Sequence, residues 1–280
     1  MWPFTPEAHL GIASDRLVLR TGRGGRARLH SLDFERGSGL LEAQETGTSD
    51  MPYEPVAAWL RMHAPRGARL AITVCDRLVF HLMVRSNAGA ATLRERLALA
   101  NADFERLTGI DAGGWDVAAD DDLAAEWFVA LAAPRALGQA TAAAAARAGL
   151  RVSSYTSFFV RRWNLHRRAL TEAEFWFSVL GPDSTTLARG ERGRVVDVRT
   201  LGQGITTLDG LVQLVEREEF RALAAPVARR IYFTGTALAS QSESPSIAGR
   251  VVALDRKIEP AARAADADAG AFADLVGGTT

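Results

Sequence analysis

Binding a nucleoside phosphate takes glycine turns whose backbone N–H groups can close on the anion. It also takes a carboxylate that holds hydrated magnesium or aims the attacking water. Two stretches of the chain carry the glycines and hydroxyls of such a site. The first is HLGIASDRLVLRT (9–21), with Gly11 and Ser14. The second is FWFSVLGPDSTTLARGERGRVV (175–196), with Gly181, Ser184 and Thr185. A third, RRIYFTGTALA (229–239), ends an apolar run on Gly235 and Thr236.

Other reactive side chains assemble into nothing comparable. The five histidines are scattered, without an i, i+4 pair suited to a metal. Cys75 is the one cysteine and lies within the apolar run LAITVCDRLVFHLMV. It can make no internal disulfide, and its surroundings read as strand core. The acidic run Asp120 to Asp122 lacks the spaced ligands and closing glutamate of a calcium loop, and reads as a turn. The basic run RRWNLHRR (161–168) reads as a solvated helix face with Trp163 and Leu165 turned inward. Its other reading is a grip on an acidic partner or on phosphate groups at a membrane surface.

The elements that must position these residues alternate between strands and helices. Strands are expected at both ends of 9–21, at 26–35, on either side of Cys75, and at 126–134, 152–159 and 229–239. The quoted stretch 175–196 reads as strand, tight turn, strand, turn, strand. Helices are expected at 55–63, at 91–109 with a stop at Gly109, and at 135–148 behind Pro134 with a stop at Gly149. Further helices follow at 161–170, 208–221 and 261–278, with a short helix or strand at 246–260. Residues 37–51 and the region of Gly113, Gly114 and Asp120 read as loops. The recurrence of a glycine- and hydroxyl-bearing hairpin at the head of each half points to duplicated βββαβα lobes, an α/β architecture.

Composition bounds the rest. The 280 residues are 48% hydrophobic, enough for a large core or two lobes. Lys plus Arg and Asp plus Glu both count 33, so the formal net charge is zero and a nucleic-acid partner is not expected. No run reaches the ~20 apolar residues of a membrane span. The start, MWPFTPEAHLGIA, has neither the basic head nor the apolar core of a signal peptide. A soluble, intracellular protein is expected.

Four segments carry a family resemblance. HLGIASDRLVLR resembles the first phosphate hairpin of the actin-like ATPase superfamily, and FSVLGPDSTTLARGERG the second. RIYFTGTALA is similar to the strand and glycine turn that meet the adenosine. LRERLALANADFERLTGID and EWFVALAAPRALGQATAAAAARAGLRVSSYTSFFVRRW resemble the inserted subdomain of PilM and FtsA. Within the superfamily the chain looks most like the PilM family of type IV pilus assembly and the cytoplasmic part of the type II secretion L protein. The resemblance implies a two-lobed actin-like (ribonuclease H-like) fold with a small inserted subdomain and a reduced second lobe. The first lobe would comprise 8–86 and 151–172, the inserted subdomain 87–150 and the second lobe 173–280.

The resemblance also implies a vestigial nucleotide cleft lined by Gly11, Ser14, Gly181, Ser184, Thr185 and Gly235. The positions of the two acids are taken by Gly11 or Ala13 and by Ser178 or Leu180. Asp15 and Asp183 are displaced by register, and each is expected to brace its own turn. The expectation is therefore no enzyme, no metal and no cofactor beyond weak ATP binding by backbone amides. The implied role is a non-catalytic cytoplasmic scaffold of a pilus or secretion platform, peripheral to the inner membrane through its partners. It would dock the cytoplasmic tail of an inner-membrane assembly protein in a groove between the first lobe and the inserted subdomain, and touch the assembly ATPase. Leu93, Leu97, Phe104 and Phe128 would line that groove. The chain's end at GAFADLVGGTT, without a span, favours the PilM-like reading over the L protein. An active ATP-binding ATPase or kinase is the alternative, and needs carboxylates in both hairpins. A third reading is a binding module of another two-lobed α/β fold.

Overall fold

The computed structural model describes residues 6–22, 27–34, 53–86, 92–120, 122, 125–181, 183–221, 229–235 and 250–254. The chain divides into two compact units, the first running to Phe158 and the second beginning at Phe159.

The first unit opens with the hairpin β1 (Glu7–Ile12) and β2 (Arg16–Thr21), closed by the Ala13 N–H donating to the Arg16 carbonyl at 2.9 Å. β3 (Arg28–Asp33) pairs antiparallel with β2. Helix α1 (Tyr53–His63) then carries the chain over to β4 (Arg69–Val74), which is parallel to β1 with Leu10 opposite Ile72. One face of these strands is continuously apolar: Leu10, Ile12, Leu17, Leu19, Leu70 and Ile72 are all buried. A sheet with parallel strands covered by helices requires such runs.

At Val74 the chain leaves this sheet. A 3-10 turn, Asp76–Leu78, leads into β5 (Phe80–Arg85). Helix α2 (Leu93–Thr108) follows, then β6 (Trp115–Ala119) and β7 (Trp127–Pro134). These three strands form a separate antiparallel sheet, ordered β5-β7-β6. Helix α3 (Arg135–Arg147) returns the chain to β8 (Arg151–Ser157), which is parallel to β4 and completes the order β3-β2-β1-β4-β8.

The second unit begins in helix α4 (Phe158–His166), whose first residue is Phe158, and repeats the plan. β9 (Glu174–Leu180), β10 (Thr185–Glu191) and β11 (Arg194–Leu201) form a meander. Helix α5 (Leu208–Arg221) precedes β12 (Arg230–Gly235), which is parallel to β9, and β13 (Val251–Ala253) is parallel to β12. The order β11-β10-β9-β12-β13 matches that of the first sheet strand for strand. α5 buries Leu211, Leu214 and Val215 against Trp176, Leu180, Leu187 and Ile231.

Helix stops fall where expected: Gly109 and Gly149 have φ of 71° and 75°. α2 also starts on a capping box, with Thr92 accepting from the Glu95 N–H and the Glu95 carboxylate accepting from the Thr92 N–H. The basic run forms α4 and a 3-10 turn, Arg167–Ala169, rather than one helix to 170. Leu165, expected inward, is 40% exposed. Trp115–Ala119, for which no element was expected, forms β6, and Phe80–Arg85, placed with the first lobe at 8–86, pairs with β7. The expected loop at 37–51, final helix at 261–278 and Thr236 lie outside the described residues.

A buried polar contact joins the two sheets of the first unit. His81 of β5 has a fully enclosed side chain, and its Nε2 is 2.9 Å from Ser157 Oγ at the end of β8. Burial, rather than the Asp76 carboxylate 3.7 Å away, governs its proton affinity and pushes its pKa down to about 3. The unfolded chain takes up this proton near the ordinary value of 6.5, so the contribution of neutral His81 is present above pH 6.5 and shrinks as pH falls toward 3. Urea denaturation at pH 7 and pH 5 should show the wild type losing about 2 kcal/mol more than His81→Gln, which has nothing to titrate there. Equal losses in both proteins would show that His81 is not held neutral.

Candidate functional site

The residues expected at a nucleotide cleft divide between the units. Gly11 and Ser14 belong to the first. Gly11 is buried in β1, opposite Val18 and Thr73. Ser14 sits at the β1–β2 tip beside Asp15, whose carboxylate lies 3.3 Å from Arg16. The same guanidinium reaches Asp33 of β3 at 3.7 Å, and the Asp15 carbonyl accepts from the Phe34 N–H at 2.7 Å. Asp15 therefore braces the hairpin against β3, through an arginine as well as through its backbone.

Gly181, Ser184, Thr185 and Gly235 come together in the second unit, at the C-terminal ends of β9 and β12. The Gly181 N–H donates to the Ser184 carbonyl at 2.8 Å and closes the turn. A Cβ at Gly181 would lie 3.1 Å from that carbonyl. Gly235 has a φ of 102°, and a Cβ there would lie 2.2 Å from the Leu180 carbonyl oxygen. The sheet's own backbone thus requires the glycine at 235, and leaves little room for a side chain at 181. Ser184 and Thr185 are buried. Thr185 shares the register of Leu180, so its hydroxyl sits on the α5 side of the sheet, where it has no hydrogen-bond partner, as is also true of Ser178. On the opposite face the hydroxyls of Thr186 and Thr200 bond each other at 3.1 Å, and Thr234 reaches His166 Nε2 at 3.4 Å. The Ser178 and Thr185 hydroxyls therefore face the protein interior. Among the described residues, no group of three or more metal-ligating side chains occurs.

The four residues expected to line a partner groove do not share one lining. Phe104 and Phe128 are buried with Leu82, Val84, Ala100, Trp115 and Ala130 in the core between α2 and the three-stranded sheet. Helical spacing marks Phe104 and a strand pattern marks Phe128, and those signals serve a core equally well. Leu97 is half-buried and Leu93 is 45% exposed at the start of α2.

The other side of that sheet is half-buried. Met83, Val129 and Leu131 alternate with the core positions and remain half-exposed, with Met83 opposite Val129 and His81 opposite Leu131. His81 ties this face to the end of β8. β8 lies at the edge of its sheet: among the described residues β4 is its one ladder partner, and Arg151 to Ser154 are exposed. From β8 the Tyr155 hydroxyl is enclosed without a hydrogen-bond partner. Burial, then the Asp116 carboxylate, holds that phenol protonated above its ordinary range. An unpaired strand edge next to a half-exposed apolar face is the geometry that accepts an extended peptide. The alternation in FHLMVR and WFVALAAP is the sequence signal for this face.

No family model matches the chain, and no curated protein matches it. Solved structures do. The PilM–PilN type IV pilus biogenesis complex is similar with a TM-score of 0.54 at 19% identity, covering 83% of this chain and 82% of that one. A Bacteroides thetaiotaomicron protein of actin-like ATPase fold has a TM-score of 0.54 at 8% identity, covering 91% and 95%. The cytoplasmic domain of EpsL, an inner-membrane component of the Vibrio cholerae type II secretion system, has a TM-score of 0.51 at 8% identity, covering 87% and 92%. The fold is α/β and actin-like, as the two sheets of identical order indicate.

Two substitutions separate folding from ligand binding at the second hairpin. Gly235→Ala should lower stability by at least about 3 kcal/mol, because a side chain meets the Leu180 carbonyl at an unfavourable φ. Thr185→Val should leave stability unchanged or raise it by about 1 kcal/mol, because it removes a buried hydroxyl with no partner. Chemical denaturation measures both, and a loss above 1 kcal/mol in Thr185→Val would give the hydroxyl a role that its surroundings do not.

Proposed function

We propose that this chain is a non-catalytic scaffold of a type IV pilus or type II secretion assembly platform, working on the cytoplasmic side of the inner membrane. In this reading it holds the cytoplasmic tail of a membrane partner, as its likeness to the PilM–PilN complex and to the EpsL cytoplasmic domain suggests. The observation that carries the proposal is the open edge of β8 beside the half-exposed face of Met83, Val129 and Leu131. An extended tail lies along β8, and its alternate apolar side chains rest on that face.

The reading of the hairpins supports the same role. Phosphoryl transfer depends on charge neutralisation and positioning. Here Asp15 is engaged by Arg16, and the Ser178 and Thr185 hydroxyls are turned into the core. Among the described residues no helix is long and apolar enough to cross a membrane.

Titration calorimetry of the full chain with N-terminal peptides of inner-membrane assembly proteins, beside Mg-ATP, tests the proposal. A micromolar peptide complex is expected, weakened roughly five- to thirtyfold by Val152→Asp or Met83→Gln, as for contacts near the centre of an interface. Tight Mg-ATP binding without any peptide complex would reverse the reading in favour of an active ATPase or kinase.

A further inference from the structure

The end of the second sheet that lies away from Gly181 and Gly235 is strongly basic. There β9 and β12 begin, β10 ends and β11 begins, with Glu191 opposite both Glu174 and Arg194. Each glutamate at this end already has an arginine. Glu172 lies 2.9 Å from Arg230, Glu174 lies 2.7 Å from Arg229, and Glu191 lies 2.8 Å from Arg189. Arg167, Arg168 and Arg192 are exposed, and no carboxylate among the described residues pairs with them. The β10–β11 turn brings Arg192 to the same place, since its N–H donates to the Ala173 carbonyl at 2.7 Å, a few residues beyond Arg168.

Two further observations mark this end as a surface kept for binding. Arg192 has a φ of 51°, the one non-glycine residue in the left-handed region among the described residues. Asparagine, aspartate or glycine is at home in such a hairpin turn, so an arginine there costs backbone strain that its side chain does not recover within the protein. Leu165 is exposed two residues before Arg167, so the segment that carries two of the arginines also exposes an apolar side chain.

We infer that this basic end is a contact surface for a bilayer carrying anionic phospholipid, with Arg167, Arg168 and Arg192 on headgroup phosphates and Leu165 at the interface. Guanidinium groups bind phosphate in a planar, two-point fashion, and each basic residue near an anionic membrane surface strengthens binding about fivefold. An acidic protein would also satisfy the charges, but the exposed Leu165 in the same segment fits a surface that is polar outside and apolar beneath. The inference stands apart from the tail-docking proposal, because it concerns the second unit alone and needs no peptide.

Sedimentation of the full chain with phosphatidylglycerol–phosphatidylcholine vesicles tests it, with pure phosphatidylcholine vesicles as reference. Binding to the anionic vesicles alone is expected, and it should be lost in 0.5 M salt, where screening acts within about 4 Å. Arg167→Gln, Arg168→Gln and Arg192→Gln together should weaken binding about 100-fold, whereas Arg66→Gln, Arg69→Gln and Arg94→Gln, which remove the same charge from the first unit, should leave it within a few-fold. Wild-type protein that ignores the anionic vesicles, or equal losses in both triple variants, would overturn the assignment. So would wild-type protein that binds a polyglutamate peptide or single-stranded RNA more tightly than the vesicles.

Discussion

At the end of the ladder between β9 and β12, the Leu180 carbonyl occupies the space that a side chain on Gly235 would need. The two strands are parallel and central in their sheet, and the turn that begins at Gly181 starts where the ladder stops. A glycine is therefore required whether or not anything binds nearby. The first sheet meets the same junction differently. Ile12 pairs with Val74, and the next residue, Cys75, stays extended and donates its N–H to the Ile12 carbonyl at 2.8 Å. Two sheets of identical order thus end their central ladders with different chemistry. Gly235 is explained by assembly of the sheet before any ligand is considered.

The same topology explains where surfaces remain. Each five-stranded sheet has a hairpin edge and an edge formed by a late, parallel strand. In the first unit that late strand, β8, is reached only after the chain has built the three-stranded sheet between β4 and α3. Strands on rigid sheets hold a bound segment more precisely than loops do. The His81–Ser157 contact fixes the small sheet relative to β8 at their meeting point, so edge and face keep one geometry.

Most elements could be read from the chain because their local signals and their packing agree. α5 spans the residues that its apolar spacing marks, and α2 ends at the glycine that terminates its pattern. β6 was not legible: WDVAA is short, weakly alternating and flanked by glycine and acid, and its pairing with β7 decides its conformation. The hairpin motifs were legible as shapes, but the direction of Thr185 depends on its register with Leu180, which only the ladder supplies. Phe104 and Phe128 show the same limit. Periodic spacing and apolar character identify a face that buries something, and they are silent on whether it meets its own protein or another chain.

Arg96 shows how such a core tolerates an uncompensated group. It is completely buried in the first turns of α2, and its Nε and Nη1 have no partner. Unpaired buried donors are costly. Two contacts offset the cost: Nη2 donates to the Ala125 carbonyl at 2.9 Å, and the guanidinium lies 4.8 Å from the Phe128 ring centroid. Ala125 lies between β6 and β7, so the arginine pins that connection to the helix. An apolar residue of similar volume would relieve the orphan donors and release the pin. The register of β6 on β7 has little sequence signal of its own, and the arginine holds the connection on which that register depends. A buried charge here serves specificity of arrangement more than net stability.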